Sequence, residues 1–267
     1  MNTSNLRGRT ATITGAGSGI GQAVAKTLWR SGCSLILVGR RHHKLLETRE
    51  QCLAEQGVED AAIHVESMDA TDLVSVRRLS KLEVAANVDI IINSAGMHGG
   101  FPLITESDPE QWSKVLNTNV VGPYYMTRLF APGMKQREWG RIINMSSAAS
   151  LSEPQSAGSV YSLSKIALNR FTRQLAQELE GTGVTANAIH PGEVKTEMWR
   201  AIKDDTANRG AAGDSLRTWA EMVEKTGGDP PQKAADLVLE IIAGEYSGVN
   251  GRFLWIEDGI QKPAETW

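Results

Sequence analysis

The sequence predicts an α/β protein with a doubly wound, mostly parallel sheet of seven strands and helices on both faces. Three observations carry that expectation. Short apolar, β-branched runs alternate with longer amphipathic stretches from end to end, the rhythm of strand–helix–strand units. The runs Val88–Ile92 and Arg141–Met145 are nearly all apolar, as strands buried on both faces are. The first run also leads straight into a glycine-rich turn ahead of a helical pattern.

In chain order, Thr10–Thr14 reads as the first strand, and the stretch through Val24 and Leu28 as the helix that follows. Ser34–Val38 is the second strand and Ala62–Val65 a weaker third. Val88–Ile92, Arg141–Met145, Val184–Ile189 and Arg252–Ile256 complete the seven. Helix-like segments lie around 42–56, 71–86, 109–131, 159–180 and 231–243. No repeat, low-complexity tract or Pro/Gly-rich linker divides the chain, so residues 1–267 read as one domain. Only 193–230 breaks the rhythm. It is polar and carries Gly210, Gly213, Gly227 and Gly228, and a long insertion before the last strand reads as a substrate lid.

Composition bounds the function classes. Among 267 residues, 28 basic and 31 acidic side chains give a formal charge of −3, with 41% hydrophobic and 22% charged residues. These values exclude collagenous, coiled-coil and grossly disordered chains, and a near-neutral balance leaves no footprint for nucleic acid. Cys33 and Cys52 are too few for a disulfide framework; they fit a reducing compartment and read as small hydrophobes. Residues 1–10 are polar, without a run of signal-peptide length. No apolar stretch approaches the ~20 residues that span a bilayer. The expectation is a soluble, cytoplasmic protein with no membrane partner. No clustered His, Cys or carboxylate spacing suggests a metal site.

The turn after the first strand is Thr14-Gly15-Ala16-Gly17-Ser18-Gly19-Ile20-Gly21. Glycine there permits positive φ, lets backbone N–H groups approach a phosphate, and lets the helix sit close to the strand. The helix N-terminus adds favourable charge for a pyrophosphate. Ligand-free turns of this kind exist, but the position after the first strand favours a dinucleotide. The second strand ends in Gly39-Arg40-Arg41-His42-His43-Lys44. An Asp or Glu that would hold a ribose 2′-OH is missing, and Arg40 and Arg41 stand where a 2′-phosphate would lie. Cations at a helix N-terminus oppose its dipole, so they make better sense if an anion completes them. NADP is therefore favoured over NAD. Asp69, followed by Ala70, could accept from an adenine amino group or cap a helix, a role Thr71 or Asp72 could also take.

The fifth strand ends in Asn144-Met145-Ser146-Ser147, and Tyr161 and Lys165 follow on a helix with the apolar stripe Ile166, Phe171, Leu175 and Leu179. At i and i+4 the two share a face. A phenol titrates near ~10, and a neighbouring ammonium lowers that value. The pair is then a proton donor for a developing alkoxide.

Together these motifs resemble the short-chain dehydrogenase/reductase family, in its shorter, single-domain Rossmann type. Thr14, Gly15, Gly19 and Gly21 match its Thr-Gly-x-x-x-Gly-x-Gly turn, and Asn93-Ser94-Ala95-Gly96 its Asn-Asn-Ala-Gly motif. Asn119 resembles its active-site Asn, Ser147 its catalytic Ser, and Tyr161 with Lys165 its Tyr-x-x-x-Lys. Pro191-Gly192-Glu193-Val194-Lys195-Thr196 matches Pro-Gly-x-x-x-Thr. The resemblance spans about residues 7–259 in order. It implies hydride transfer between a nicotinamide and a small carbonyl or alcohol. Tyr161 would be the general acid/base; Lys165 would lower its pKa and hold the ribose hydroxyls. Ser147 would polarise the substrate oxygen, and Asn119 would anchor a water that relays protons. Asn93, Ala95 and Gly96 would pack beside the cofactor, with Val194 and Thr196 near the carboxamide. A homodimer or homotetramer is implied as well.

The chain departs from the pattern at Ser94, where the family has its second Asn, and after Asn250, where Asp258-Gly259-Ile260 replaces Asp-Gly-Gly. The serine assignment depends on register, since Ser146 adjoins Ser147. Candidate pocket residues are Met97, His98, Phe101 and Leu103, then Ser152 to Gly158, with Glu193, Met198, Trp199 and Trp219 from the lid. The tryptophans either meet a bulky substrate or simply pack the lid onto the body. Two other readings of the same fold stand beside the reductase: a non-catalytic cofactor-binding sensor or scaffold, and an epimerase or dehydratase. Intact Asn119, Ser147, Tyr161 and Lys165 argue against the first.

Overall fold

Alternation with period two, apolar on both sides, decides the architecture. The computed structural model describes residues 6–55, 60–153, 158–206 and 214–262. In β1 (Thr10–Thr14), Ala11 and Ile13 enter one core; in β2 (Ser34–Gly39), Leu35 and Leu37 join them while Ile36 and Val38 enter a second core on the opposite face. β4 (Val88–Asn93) divides likewise, Ile90 and Ile92 against Ile91. With β3 (Ile63–Ser67), β5 (Gly140–Met145), β6 (Val184–His190) and β7 (Phe253–Trp255) the sheet runs β3-β2-β1-β4-β5-β6-β7, all parallel.

The seven expected strands are present, and an eighth corrects the count. β8 (Gly259–Ile260) pairs antiparallel with β7 at the sheet edge. Two residues are too short to carry a periodicity, so the strand is visible only in its pairing.

Helices cover both faces. α1 (Gly19–Arg30), α2 (His42–Leu53) and α9 (Pro231–Ala243) bury Val24, Leu28, Leu45, Val238 and Ile241 in the first core. α3 (Leu73–Leu79), α5 (Gly122–Gln136) and α6 (Ser159–Glu178) bury Val76, Met126, Phe130 and Ala176 in the second. Each fully buried large aliphatic side chain contributes about 1.5–3 kcal/mol. Cys33 and Cys52 are both free thiols in the first core.

Two expected helices are broken. The segment 71–86 is α3 followed by a 3₁₀ turn, Glu83–Ala85, with Asp72 capping α3 through the amides of Val74 and Ser75. The segment 109–131 is α4 (Pro109–Leu116), a π turn over Asn117–Val121, and then α5. Pro123 has no N–H for the carbonyl of Asn119, which loosens the ladder there. Within 193–230 the described residues form two amphipathic helices, α7 (Glu197–Thr206) and α8 (Asp214–Thr226). Gly210 and Gly213 lie outside the described residues.

Strand order reverses between β1 and β4. A crevice opens at the carboxyl ends of strands at such a point, and the candidate site is there.

Candidate active site

The crevice is built from Thr14 outward. Its Oγ1 accepts from the amides of Ser94 (3.1 Å) and Ala95 (3.2 Å), which fixes the loop after β4 against the glycine turn. Gly15 has φ +69°, and a Cβ there would meet Ala95 N at 2.9 Å. A Cβ on Gly21 would fall 2.4 Å from the Gly15 carbonyl, so the start of α1 lies directly on the turn. Ser18 makes no side-chain cap to α1, and no acidic residue occupies its first turn. The amides of that turn therefore present donors, and positive dipole charge, to a cleft of about 460 Å³.

Gly15, Gly17, Ser18, Gly19, Ile20, Gly21, Arg40, Arg41, Asp69, Ala70, Ala95, Gly96 and Thr196 line this cleft. Ser94, the departure from the family motif, lines it too. Asn93 does not: it is 2% exposed, and its amide donates to Asn144 Oδ1 (2.8 Å), tying β4 to β5 beneath the cleft. Asp69 accepts from Thr71 N and Oγ1 through one oxygen. Arg41 donates to Ser18 Oγ (3.2 Å) and pairs with Glu197 of α7 at 2.8 Å. That carboxylate lies 156 residues away and has no local signal. The cradle, the bare helix terminus and two arginines fit a phosphate-bearing ligand.

A second cleft of about 370 Å³ adjoins the first, sharing Ile20, Thr196 and Met198. Ser147, Tyr161, Pro191, Gly192 and Val194 line it. Burial raises the Tyr161 phenol, a hydrogen bond with Ser147 pulls it down, and the charge of Glu193 raises it further. Lys165 is buried on the same helix. Its Nζ is turned to the Met145 carbonyl at 2.7 Å and lies 5.5 Å from the Tyr161 ring centroid, and burial pushes the ammonium itself down to about 8. Desolvation is the leading cause for both groups, and the interaction with Ser147 acts against it at Tyr161.

Asn119 sits in the π turn, fully buried. Its Oδ1 accepts from Met97 N, and its Nδ2 donates to Met97 O and to Ser164 Oγ, all at 2.9 Å. Ser164 in turn donates to the Tyr161 carbonyl at 2.6 Å, so Asn119 ties the loop after β4 to the catalytic-motif helix. A Cβ on Gly96 would lie 3.4 Å from Asn119 Oδ1 and 3.8 Å from Lys165 Nζ.

Of the pocket candidates, His98, Phe101, Ser152, Gly158, Glu193, Met198, Trp199 and Trp219 line the second cleft. Met97 and Leu103 do not. Met97 is engaged by Asn119 and Leu103 is 43% exposed, while residues 154–157 lie outside the described residues. Trp219 packs on Phe101 and Ile202, and with Trp199 it forms cleft wall. The sequence reading missed His190, whose Nδ1 accepts from Ala148 N (3.1 Å) and so holds the loop that carries Ser147. Burial depresses this imidazole to about 4.

A family model described as short chain dehydrogenase matches residues 9–207. The chain belongs to the short-chain dehydrogenase family. It is 33% identical over 257 residues to the L-tagatose-forming galactitol 2-dehydrogenase of Cereibacter sphaeroides, covering 95% of each chain. Against the D-beta-hydroxybutyrate dehydrogenase of Cupriavidus necator it is 35% identical over 193 residues, 72% of this chain and 73% of the relative. Among solved structures, an NAD(P)-dependent gluconate 5-dehydrogenase candidate from Beutenbergia cavernae, with NADP bound at low occupancy, aligns with a TM-score of 0.81. It is 28% identical, over 96% of this chain and 97% of that one. A variant of the actinorhodin polyketide ketoreductase with NADPH aligns at 0.80 and 27% identity, covering 92% and 95%. This short-chain dehydrogenase thus has the oxidoreductase fold of its relatives. Among its described residues no helix is long and apolar enough to cross a membrane.

Proposed function

We propose that this short-chain dehydrogenase transfers a hydride between NADP(H) and a small carbonyl compound or secondary alcohol, with Tyr161 as general acid/base. One observation carries the reading: Tyr161 and Ser147 line one largely apolar cleft that adjoins the phosphate cradle and shares Ile20, Thr196 and Met198 with it. NADP(H) supplies the hydride when bound. The glycine turn and the first turn of α1 hold its pyrophosphate, and Arg40 and Arg41 its 2′-phosphate. Relatives solved with NADP and NADPH support that choice. Ser147 hydrogen-bonds the substrate oxygen, and Tyr161 gives a proton to the alkoxide or takes one from the alcohol. Lys165 neutralises the phenolate. The chain works as one domain in the cytoplasm, α7 and α8 forming the lid, and assembles as a homodimer or homotetramer.

Tyr161→Phe is expected to lower kcat by about a thousandfold or more, since acid–base catalysis contributes ~10²–10⁴, while NADPH still binds. Fluorescence titration of NADPH beside steady-state rates with a panel of ketones checks this. A variant keeping most of its rate removes Tyr161 from the mechanism.

A further inference from the structure

The walls of the second cleft are largely apolar, with Phe101, Met198, Trp199, Ile202 and Trp219 among them. Glu193 is the only carboxylate among the described residues that line it. Its backbone is clamped: Glu193 N donates to Asp229 Oδ2 at 2.9 Å, and Asp229 N to the Glu193 carbonyl at 3.0 Å. Its Oε2 accepts from the Trp219 indole N–H at 2.8 Å. Its Oε1 lies 3.7 Å from His190 Nε2, beyond hydrogen-bond length. A carboxylate has about four acceptor sites, and Trp219 uses one. The side chain keeps 32% exposure, and its charge reaches the Tyr161 phenol. An acceptor on a clamped backbone therefore lines the same cleft as Tyr161 and Ser147.

We infer that Glu193 reads the substrate by accepting a hydrogen bond from a hydroxyl on the carbon next to the reacting carbonyl. The enzyme then favours hydroxyketones, and the vicinal diols they form, over plain ketones, and turns away α-keto acids. A neutral hydroxyl suits the site because it brings a donor into apolar walls without a charge to desolvate. A substrate carboxylate in that position meets Glu193 as a like charge. In the reductive direction the carbonyl carbon takes the hydride of NADPH, which leaves as NADP. The carbonyl oxygen takes the Tyr161 proton, which solvent restores, and the hydroxyl on Glu193 is unchanged. The inference rests on the hydride-transfer reading above.

Three ketones test it. They share a phenethyl arm and carry methyl, hydroxymethyl or carboxylate as the other group on the carbonyl. For the wild type, kcat/KM is expected to be about tenfold higher for the hydroxymethyl ketone than for the methyl ketone, the scale of one charge-assisted hydrogen bond. The keto acid is expected to fall about tenfold or more below the methyl ketone. Glu193→Gln is expected to shrink the hydroxymethyl preference and to raise the keto acid relative to the methyl ketone. Loss of a structural contact alone lowers all three rates together and leaves their ratios unchanged, and that result overturns the inference. So does a wild type that treats hydroxymethyl and methyl ketones alike. Trp219→Phe gives an independent arm, since it keeps the carboxylate but removes the indole donor. It is expected to hold or widen the preference for hydroxymethyl over carboxylate, and a narrowing counts against Glu193. A wild type that reduces none of the three with NADPH or NADH, and oxidises none of the matching alcohols, overturns the hydride-transfer reading itself.

Discussion

At the scale of single residues, burial dominates the chemistry of the site. Tyr161, Lys165 and His190 are each moved toward their neutral form by desolvation before any neighbour acts. For His190 this makes a stability prediction. Its folded value of about 4 lies below the ordinary 6.5, so between those pH values the unfolded chain binds a proton that the folded chain refuses. Stability from this group is present above pH 6.5, is lost as pH falls toward 4, and totals about 3 kcal/mol. Urea unfolding at pH 7 and pH 4.5 is expected to show that loss, and His190→Asn, which keeps an acceptor for Ala148 N, to show much less of it. An unchanged pH slope removes His190 from the account. Tyr161 and Lys165 were legible in the sequence because a four-residue spacing on one helix is local. Their electrostatics were not, because burial depends on everything packed around them.

At the scale of elements, α7 does more than line the second cleft with Met198, Trp199 and Ile202. Its first residue, Glu197, pairs with Arg41 at the start of α2, across the mouth of the phosphate cradle. Both side chains are about half exposed, 48% and 51%, so the pair contributes at most about 1 kcal/mol to stability. A 2′-phosphate held as proposed would compete with Glu197 for the same guanidinium. Glu197→Gln is expected to tighten NADPH binding about two- to fivefold while leaving NADH nearly unchanged. Titration of both cofactors reads this; an equal change in the two contradicts the competition. The break between α4 and α5 is the other element-level finding. Gly122-Pro123 signals it in the sequence, but the pull of Met97 and Ser164 on Asn119 comes from two other segments and leaves no local mark.

At the scale of the whole molecule, the first apolar core, built from strands and helices far apart in the chain, hides both thiols. Cys33 and Cys52 are fully buried. Desolvation pushes Cys33 far above a thiol's usual range and Cys52 up to about 11, and the reactive species is the thiolate. A disulfide reagent is expected to label neither cysteine in the native protein and both once urea unfolds the chain. Labelling that tracks the unfolding curve supports this, and fast labelling without denaturant contradicts it.

The sequence by itself determined the parallel sheet, the glycine cradle, the arginines at the end of β2 and the spacing of Ser147, Tyr161 and Lys165. Each depends on periodicity or on neighbours a few residues apart. Tertiary structure alone decided which strand ends face one another, and so that Asn93 lies under the cleft rather than in it. It also brought Glu197 to Arg41, Trp219 to Glu193 and His190 to the serine loop. Those contacts join elements distant in the chain, and packing geometry rather than local preference selects them.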